Sequence, residues 1–537
     1  MNLLFDAWLP VRYSDGGRHI VSFDKLRDAD ILDFDFPRAD FQGAAYQFAI
    51  GVLQTLLAPE DEDAWGDYYD QPPTSEELLS QLEKARHAFN MFTDASDSPL
   101  FMQDFDLLAE VEASPFSGLL IEAPGGNTLK HNTDHFIKRG LCDTASLPMA
   151  AIALFTLQIN APSGGQGHRT GLRGGGPLTT LVLPNEASAS LWQKLWLNVL
   201  SRELFTYDDP DLHSATVFPW LAPTRQSKGN GTEVYAKDVH PLHMYWAMPR
   251  RIRLVVEQGQ ATCDLSGLPC DVFVREYRTQ NYGYNYSGEW WHPLTHYRKN
   301  PKKPDEDNLS TKGQPGGITY KQWHSLSFLD PVEGSIPARV VSAYGEERYD
   351  LIQGPQYQRL WSFGYDMDNM KARGWYSTEL PLFVLPQRKR DQLLKHIKTA
   401  QQLASESLWM CRTEIKSAWF EKPGDAKGDF SFIDLQFWQR TESAFFETVS
   451  VLLAAEDSDI PLTPAQAQRW LLALRGTALD LFDELVLSAA DDHKHMPRFI
   501  KARRALTGWF FKGKPVVAYR QQYQIETDFE TQTVQEV

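Results

Sequence analysis

Seven glycines fall within residues 164–176, interleaved with His168, Arg169 and Arg173. Glycine lets a backbone adopt φ > 0 and approach a ligand closely. The stretch can therefore present a row of bare N–H donors suited to phosphate or to a narrow groove. The same composition also describes an ordinary long loop, and composition alone does not separate the two. It is not a P-loop, because no Gly-Lys-Ser/Thr follows at the required spacing. There is no H-E-x-x-H, no G-x-S-x-G and no glycine fingerprint set between a strand and a helix. A dispersed triad leaves no local signature. A hydrolase or transferase that uses the glycine segment as an anion cradle thus stands as the alternative reading. His493 and His495 lack an acidic or cysteine partner at ligand spacing, which favours a solvated helix start. Cys142, Cys263 and Cys270 could be a residual zinc knuckle, but the paired C-x-x-C type of spacing is absent. Buried or loop thiols are the simpler reading, and no metal or cofactor is expected.

These residues need a scaffold, and the chain is long enough to supply one. It has 537 residues, 42% of them hydrophobic, which predicts two or three domains. No apolar run approaches the ~20 residues needed to span a bilayer. The first residues lack the basic start and small-residue cleavage site of a secretory signal, so a soluble cytoplasmic protein is expected. The net charge of −17 opposes simple nucleic-acid binding. Binding depends on local patches rather than on the sum, however, and a subunit docked on a basic ribonucleoprotein can itself be acidic.

The spacing predicts a buried helix from Phe41 to Leu57 and a helix start at Thr74 with Glu77 three residues on. It predicts an apolar helix from Met149 to Ile159, a strand over 178–183 and a helix from Ala187 to Leu204. Residues 215–380 read as strands and irregular loops, with 300–317 as a mobile polar loop. Four helical patterns follow Pro386, at about 387–420, 433–456, 463–488 and 495–512. The third begins Thr463-Pro464, an N-cap followed by proline at the first helical position. The expected fold class is α+β. A large mixed domain with short sheets spans 1–386, an antiparallel four-helix bundle spans 387–515, and a polar tail spans 516–537. Basic clusters lie at Arg298-Lys299, Lys302-Lys303 and Arg388-Lys389-Arg390, and on the last helix at Lys494, Arg498, Lys501, Arg503 and Arg504. Each reads as a solvated face or as charge set aside for nucleic acid or neighbouring subunits.

Several segments, taken in order, carry a resemblance. They are Asn2-Leu-Leu with Asp6 and Trp8-Leu-Pro-Val-Arg12; Ala151-Ile-Ala-Leu-Phe155; Asn160-Ala-Pro; Thr170-Gly-Leu-Arg-Gly-Gly175 ending at Pro177-Leu-Thr-Thr180; Trp290-Trp-His-Pro293; and Gly364-Tyr-Asp-Met-Asp-Asn-Met-Lys371. The ordered set resembles the CasA family, the large subunit of the type I-E CRISPR surveillance complex called Cascade. The resemblance implies a non-enzymatic subunit whose partners are the other Cascade subunits, a CRISPR guide RNA, target double-stranded DNA and a helicase–nuclease. It implies recognition of the protospacer-adjacent motif (PAM) from the minor groove and the start of strand separation, with guide pairing reading the rest. The family's glycine loop falls on Ser163, Gly164, Gly165 and Gln166. Its groove-reading lysine falls at Asn281, a departure that changes the contact; asparagine can still donate to minor-groove acceptors. The strand-parting hairpin tip falls on Asp368, Asn369 and Met370, for which the plain reading is a tight β-turn without a ligand. A loop near the guide's 5′ end falls on Lys130, His131 and Asn132.

Overall fold

The computed structural model describes residues 1–93, 98–124, 128, 130–131, 140–162, 165, 167–303, 305–352, 357–368, 371–455, 458–488 and 495–526. The chain divides into two compact units, one of Met1–Gln314 with Ser325–Phe383, the other of Pro315–His324 with the chain from Val384 on. Both helices and short sheets are present, so the class is α+β.

The first unit opens with a small antiparallel sheet, β1 (Leu9–Tyr13), β2 (Arg18–Val21) and β3 (Ile31–Phe34), in the order β2-β1-β3. Helix α1 (Ala39–Leu56) follows and is buried at nearly every position from Phe41 to Thr55. A helix apolar all round has to sit inside the fold rather than on its surface. The Phe48 ring lies at its centre, edge-on to Trp8, Phe23, Phe89, Phe101, Phe155 and Trp246 with centroids 5.4–6.4 Å away. Such pairings add to the burial of each ring. Thr74 and Glu77 form the expected capping box on α2 (Ser75–Glu83). Helix α3 (Leu147–Asn160) packs on α1 and runs straight into the glycine segment.

Strand β4 (Thr179–Leu183) leaves that segment fully buried. The next helix, α4 (Leu191–Trp196), stops well short of the expected Leu204. Its continuation is diverted by side chains: Asn198 pairs with the N–H and C=O of Val182, and Gln54 pairs with the N–H and C=O of Leu200. These bonds satisfy polar groups that a longer helix would have used internally. A long hairpin of β5 (Arg251–Thr262) and β6 (Pro269–Gln280) follows, and then a second of β7 (Gln358–Asp368) and β8 (Lys371–Leu382). Strand β7 lies between β8 and β4.

Within the stretch expected to be a mobile loop, residues 309–313 are paired. Leu309–Ser310 pairs with Tyr297–Arg298, Lys312 bridges to Pro177, and Gly313 bridges to Asp366. The polar composition hid this, because the pairing uses backbone groups.

The second unit holds α5 (Arg390–Trp419), α6 (Ser431–Ala454), α7 (Pro464–Phe482), α8 (Met496–Lys512) and α9 (Lys514–Gln522). Thr463 caps α7 through a box with Gln466, with Pro464 at the first turn. Helix α5 packs against α6, α7, α8 and α9. The polar tail expected from 516 is corrected over its first part: α9 buries Val516 and Tyr519, and Tyr523 follows it into the core. The period was too short to stand out among the polar residues around it. Residues 315–324, far away in sequence, also belong here. The Tyr320 ring stacks on Phe445 at 4.4 Å, and its hydroxyl is 2.8 Å from that of Thr441.

Candidate nucleic-acid interface

The glycine segment is held from outside. At its start the Arg250 guanidinium donates to the Pro162 carbonyl, and the Arg250 N–H donates to the Gln158 side chain. In the middle Arg169 donates to the hydroxyl and the carbonyl of Ser227, both at 2.8 Å. At its end the Lys312 ammonium donates to the Arg173 carbonyl and to the Ser310 hydroxyl. Arg173 does not face solvent; it is buried and donates to Gln47, Thr179 and Thr295. Among the described residues, none of Arg173, Arg250 and Lys312 pairs with a carboxylate. Burial therefore lowers all three, Arg173 and Arg250 to about 10 and Lys312 to about 8. His168 is also lowered, first by burial and then by Arg250.

The two ends of the segment meet two other candidate elements. Gly167, at φ +80°, lies so near Asn281 that a Cβ would come 2.8 Å from the Asn281 Cβ. The Gly167 carbonyl accepts from the Tyr282 N–H at 2.7 Å. Gly176, at φ +58°, faces the hairpin, where a Cβ would come 2.6 Å from Met367 Cγ. Tyr282 itself has φ +71°, one of four non-glycine residues on the positive side among those described. Such a conformation costs ~1–3 kcal/mol and persists only where the surroundings fix it. Here the Gly167 carbonyl and the Ser227 N–H fix it from both sides.

Each hairpin has a buried anchor. Arg251, 2% exposed, pairs with Asp104 and Asp106 and donates to Gln280, the residue before Asn281. Tyr365 donates to Asp40 at the start of α1, and Arg38 bridges Asp40 at 2.8 Å and Glu122 at 2.5 Å. Burial beside the Asp40 carboxylate raises the Tyr365 phenol, while Glu122 and Asp40 raise Arg38 against the opposing effect of its burial. Arg373 forms a two-pronged pair with Asp366.

Of the residues singled out in the sequence, Gly165 is exposed at φ +89° with open space around it. Asn281 is half-buried, and Asp368 is exposed, 3.9 Å from Arg373. Lys130 and His131 are exposed. Ser163, Gly164, Gln166, Asn369, Met370 and Asn132 lie outside the described residues. The structure thus joins the glycine segment to Asn281 and to the strand leading to Asp368. Among the described residues it gives no such link for Lys130 and His131.

Sequence reasoning missed Arg250, Lys312 and Tyr282. The Arg250-Arg251 pair after a proline and the Gly283 after Tyr282 were the available signals. Nothing local marked Lys312. Among the basic clusters, Arg498 donates to the last carbonyls of α5, and Arg503 pairs with Asp483. Lys494 lies outside the described residues. Cys142 and Cys263 are buried. Burial raises Cys142 to about 12, whereas hydrogen bonds from Ser146 and Ser266 outweigh burial at Cys263 and lower it.

The class these features define is a large α+β protein whose first unit presents a glycine-rich backbone and a hairpin side by side. The family described as CRISPR-associated protein Cse1 matches residues 2–481. The chain belongs to that family, also called CasA. Thermus thermophilus CasA (Cse1) is similar at 20% identity and TM-score 0.66, over 95% of this chain and 99% of that one. Thermobifida fusca Cse1 is similar at 16% identity and TM-score 0.68, over 98% of each chain. A chain of a CRISPR RNA-guided surveillance complex is similar at 14% identity and TM-score 0.64, over 94% of this chain and 99% of its own. No helix among the described residues is long and apolar enough to cross a membrane.

Proposed function

We propose that this protein is the large subunit of a type I-E CRISPR Cascade complex. It reads the PAM of target double-stranded DNA from the minor groove, starts strand separation and R-loop formation, and helps to recruit the helicase–nuclease. It is not an enzyme, and it works in the cytoplasm with the other Cascade subunits and the guide RNA. The α5–α8 helices form its antiparallel four-helix bundle, and residues 130–132 lie toward the guide RNA.

The observation that carries the reading is the junction at both ends of the glycine segment, with Asn281 at one and the hairpin at the other. A minor groove is only about 6 Å wide, so a backbone without side chains fits where a helix does not. Ser163–Gln166 and Asn281 then check the groove, and Asp368, Asn369 and Met370 enter the adjacent base step, at an unstacking cost of a few kcal/mol offset by new interactions. The degenerate minor-groove pattern gives tolerance of several PAMs.

The test is a gel-shift titration of the assembled complex on duplexes that differ only in the PAM. Asn369→Ala and Gly165→Trp should each weaken PAM-dependent binding by about tenfold or more, the scale of one groove pairing, while the protein stays folded. Wild-type affinity for both variants overturns the assignment.

A further inference from the structure

Residues 298–301 and 309–314 enclose a cavity of about 450 Å³ faced by Arg298, Lys299, Ser310, Lys312, Gln314 and Glu333. Three cations meet one carboxylate there, in a chain whose net charge is −17. Arg298 and Lys299 are exposed, and among the described residues neither engages an acidic side chain. The Lys312 partners are neutral oxygens, the Arg173 carbonyl and the Ser310 hydroxyl, which leaves its charge uncompensated among the described residues. A half-buried ammonium without a counterion is less well compensated than one in open water, and an arriving anion makes good the deficit.

The location narrows the anion. Gly313 bridges to Asp366 on β7, so close that a Cβ would lie 2.4 Å from the Tyr365 carbonyl. The cavity wall is therefore continuous with the strand that leads to Asp368. On its other side the Lys312 ammonium lies against Gly174 of the glycine segment. An anion in the cavity sits next to both elements assigned above to DNA.

We infer that this cavity is a phosphodiester subsite that takes the backbone of duplex DNA beside the hairpin, before the strands part. The inference rests on the reading under Proposed function and adds a second point of attachment to it, one that holds DNA without reading sequence. Arg298 and Lys299 supply mobile donors from the rim, and Lys312 supplies a fixed one from the wall. A backbone phosphate carries no base identity, so this subsite raises affinity for every duplex alike.

The assembled complex carrying Arg298→Gln and Lys299→Gln tests it, titrated with duplexes of accepted and rejected PAM at several salt concentrations. Both positions are exposed, so the fold is not at stake. Affinity should fall by the same factor on both duplexes, with their ratio unchanged. The slope of log K against log salt should shrink by about 1 for each phosphate that the variant no longer neutralises. An unchanged slope overturns the subsite. Loss of guide RNA from the purified variant complex, with the DNA slope unaltered, assigns the phosphate to the guide and also overturns it. A wild-type complex blind to the PAM overturns the function reading instead, and the slope still decides the cavity by itself.

Discussion

Along α7, Ala467, Trp470, Leu471, Leu474, Ala478, Leu481 and Phe482 are buried in steps of three and four, and one capping box starts the helix. Between Pro162 and Gly176 no such repeat exists. There the backbone is set by Arg250 at one end, Arg169 in the middle and Lys312 at the other. The helix carries its own instructions, many weak and redundant. The glycine segment borrows its shape from a few charged side chains that tie it to distant parts of the chain. Damage to the first kind of region should be graded and local. Damage to the second should hinge on single charges and on pH.

The largest effects sharpen that contrast. Arg251→Met leaves Asp104, whose side chain is fully buried, without its partner. The first unit should lose about 3–5 kcal/mol, the scale for breaking a buried ion pair, read as a lower urea midpoint. Phe445→Ala removes the ring under Tyr320 and should cost the second unit a similar 3–5 kcal/mol. If hydrogen exchange then showed residues 315–324 still protected, their anchoring would not depend on that stack.

Acid should act on the first unit next. His243 is buried, bonded to Tyr286 and to the Thr216 carbonyl, and burial lowers it to about 4. The unfolded chain therefore takes up a proton near 6.5 that the folded chain refuses until about 4. Its stabilising contribution is complete above pH 6.5 and declines as the pH falls toward 4, by up to about 1.4 kcal/mol per pH unit. His292, also buried and lowered well below its usual range, adds in the same direction. Urea midpoints measured between pH 7 and 4 should fall less steeply in His243→Gln. An equal slope would remove His243 from the account.

Tyr365→Phe deprives Asp40 of one donor while Arg38 remains, and should cost about 1–3 kcal/mol. The smallest effect belongs to the self-instructed region. Thr463→Ala should cost about 1 kcal/mol, the usual worth of an N-cap, with the helix otherwise intact by circular dichroism.

The same contrast explains what could be read in advance. The caps at Thr74 and Thr463, the buried run of α1 and the four long helical patterns follow from neighbours a few residues apart, so they were legible. The early stop of α4 depends on Gln54, and the pairing of Lys312 and Gly313 depends on Pro177 and Asp366; neither is local. At the candidate site the glycines were visible. Their clamps were not, because Lys312 reaches Arg173 across 139 positions of sequence.

Gly167 meets Asn281 at its Cβ, an atom common to every residue except glycine. A side chain at 167 would therefore be crowded whatever non-glycine residue stood at 281, and strained as well at φ +80°, so the contour of the loop is fixed by what this one position lacks.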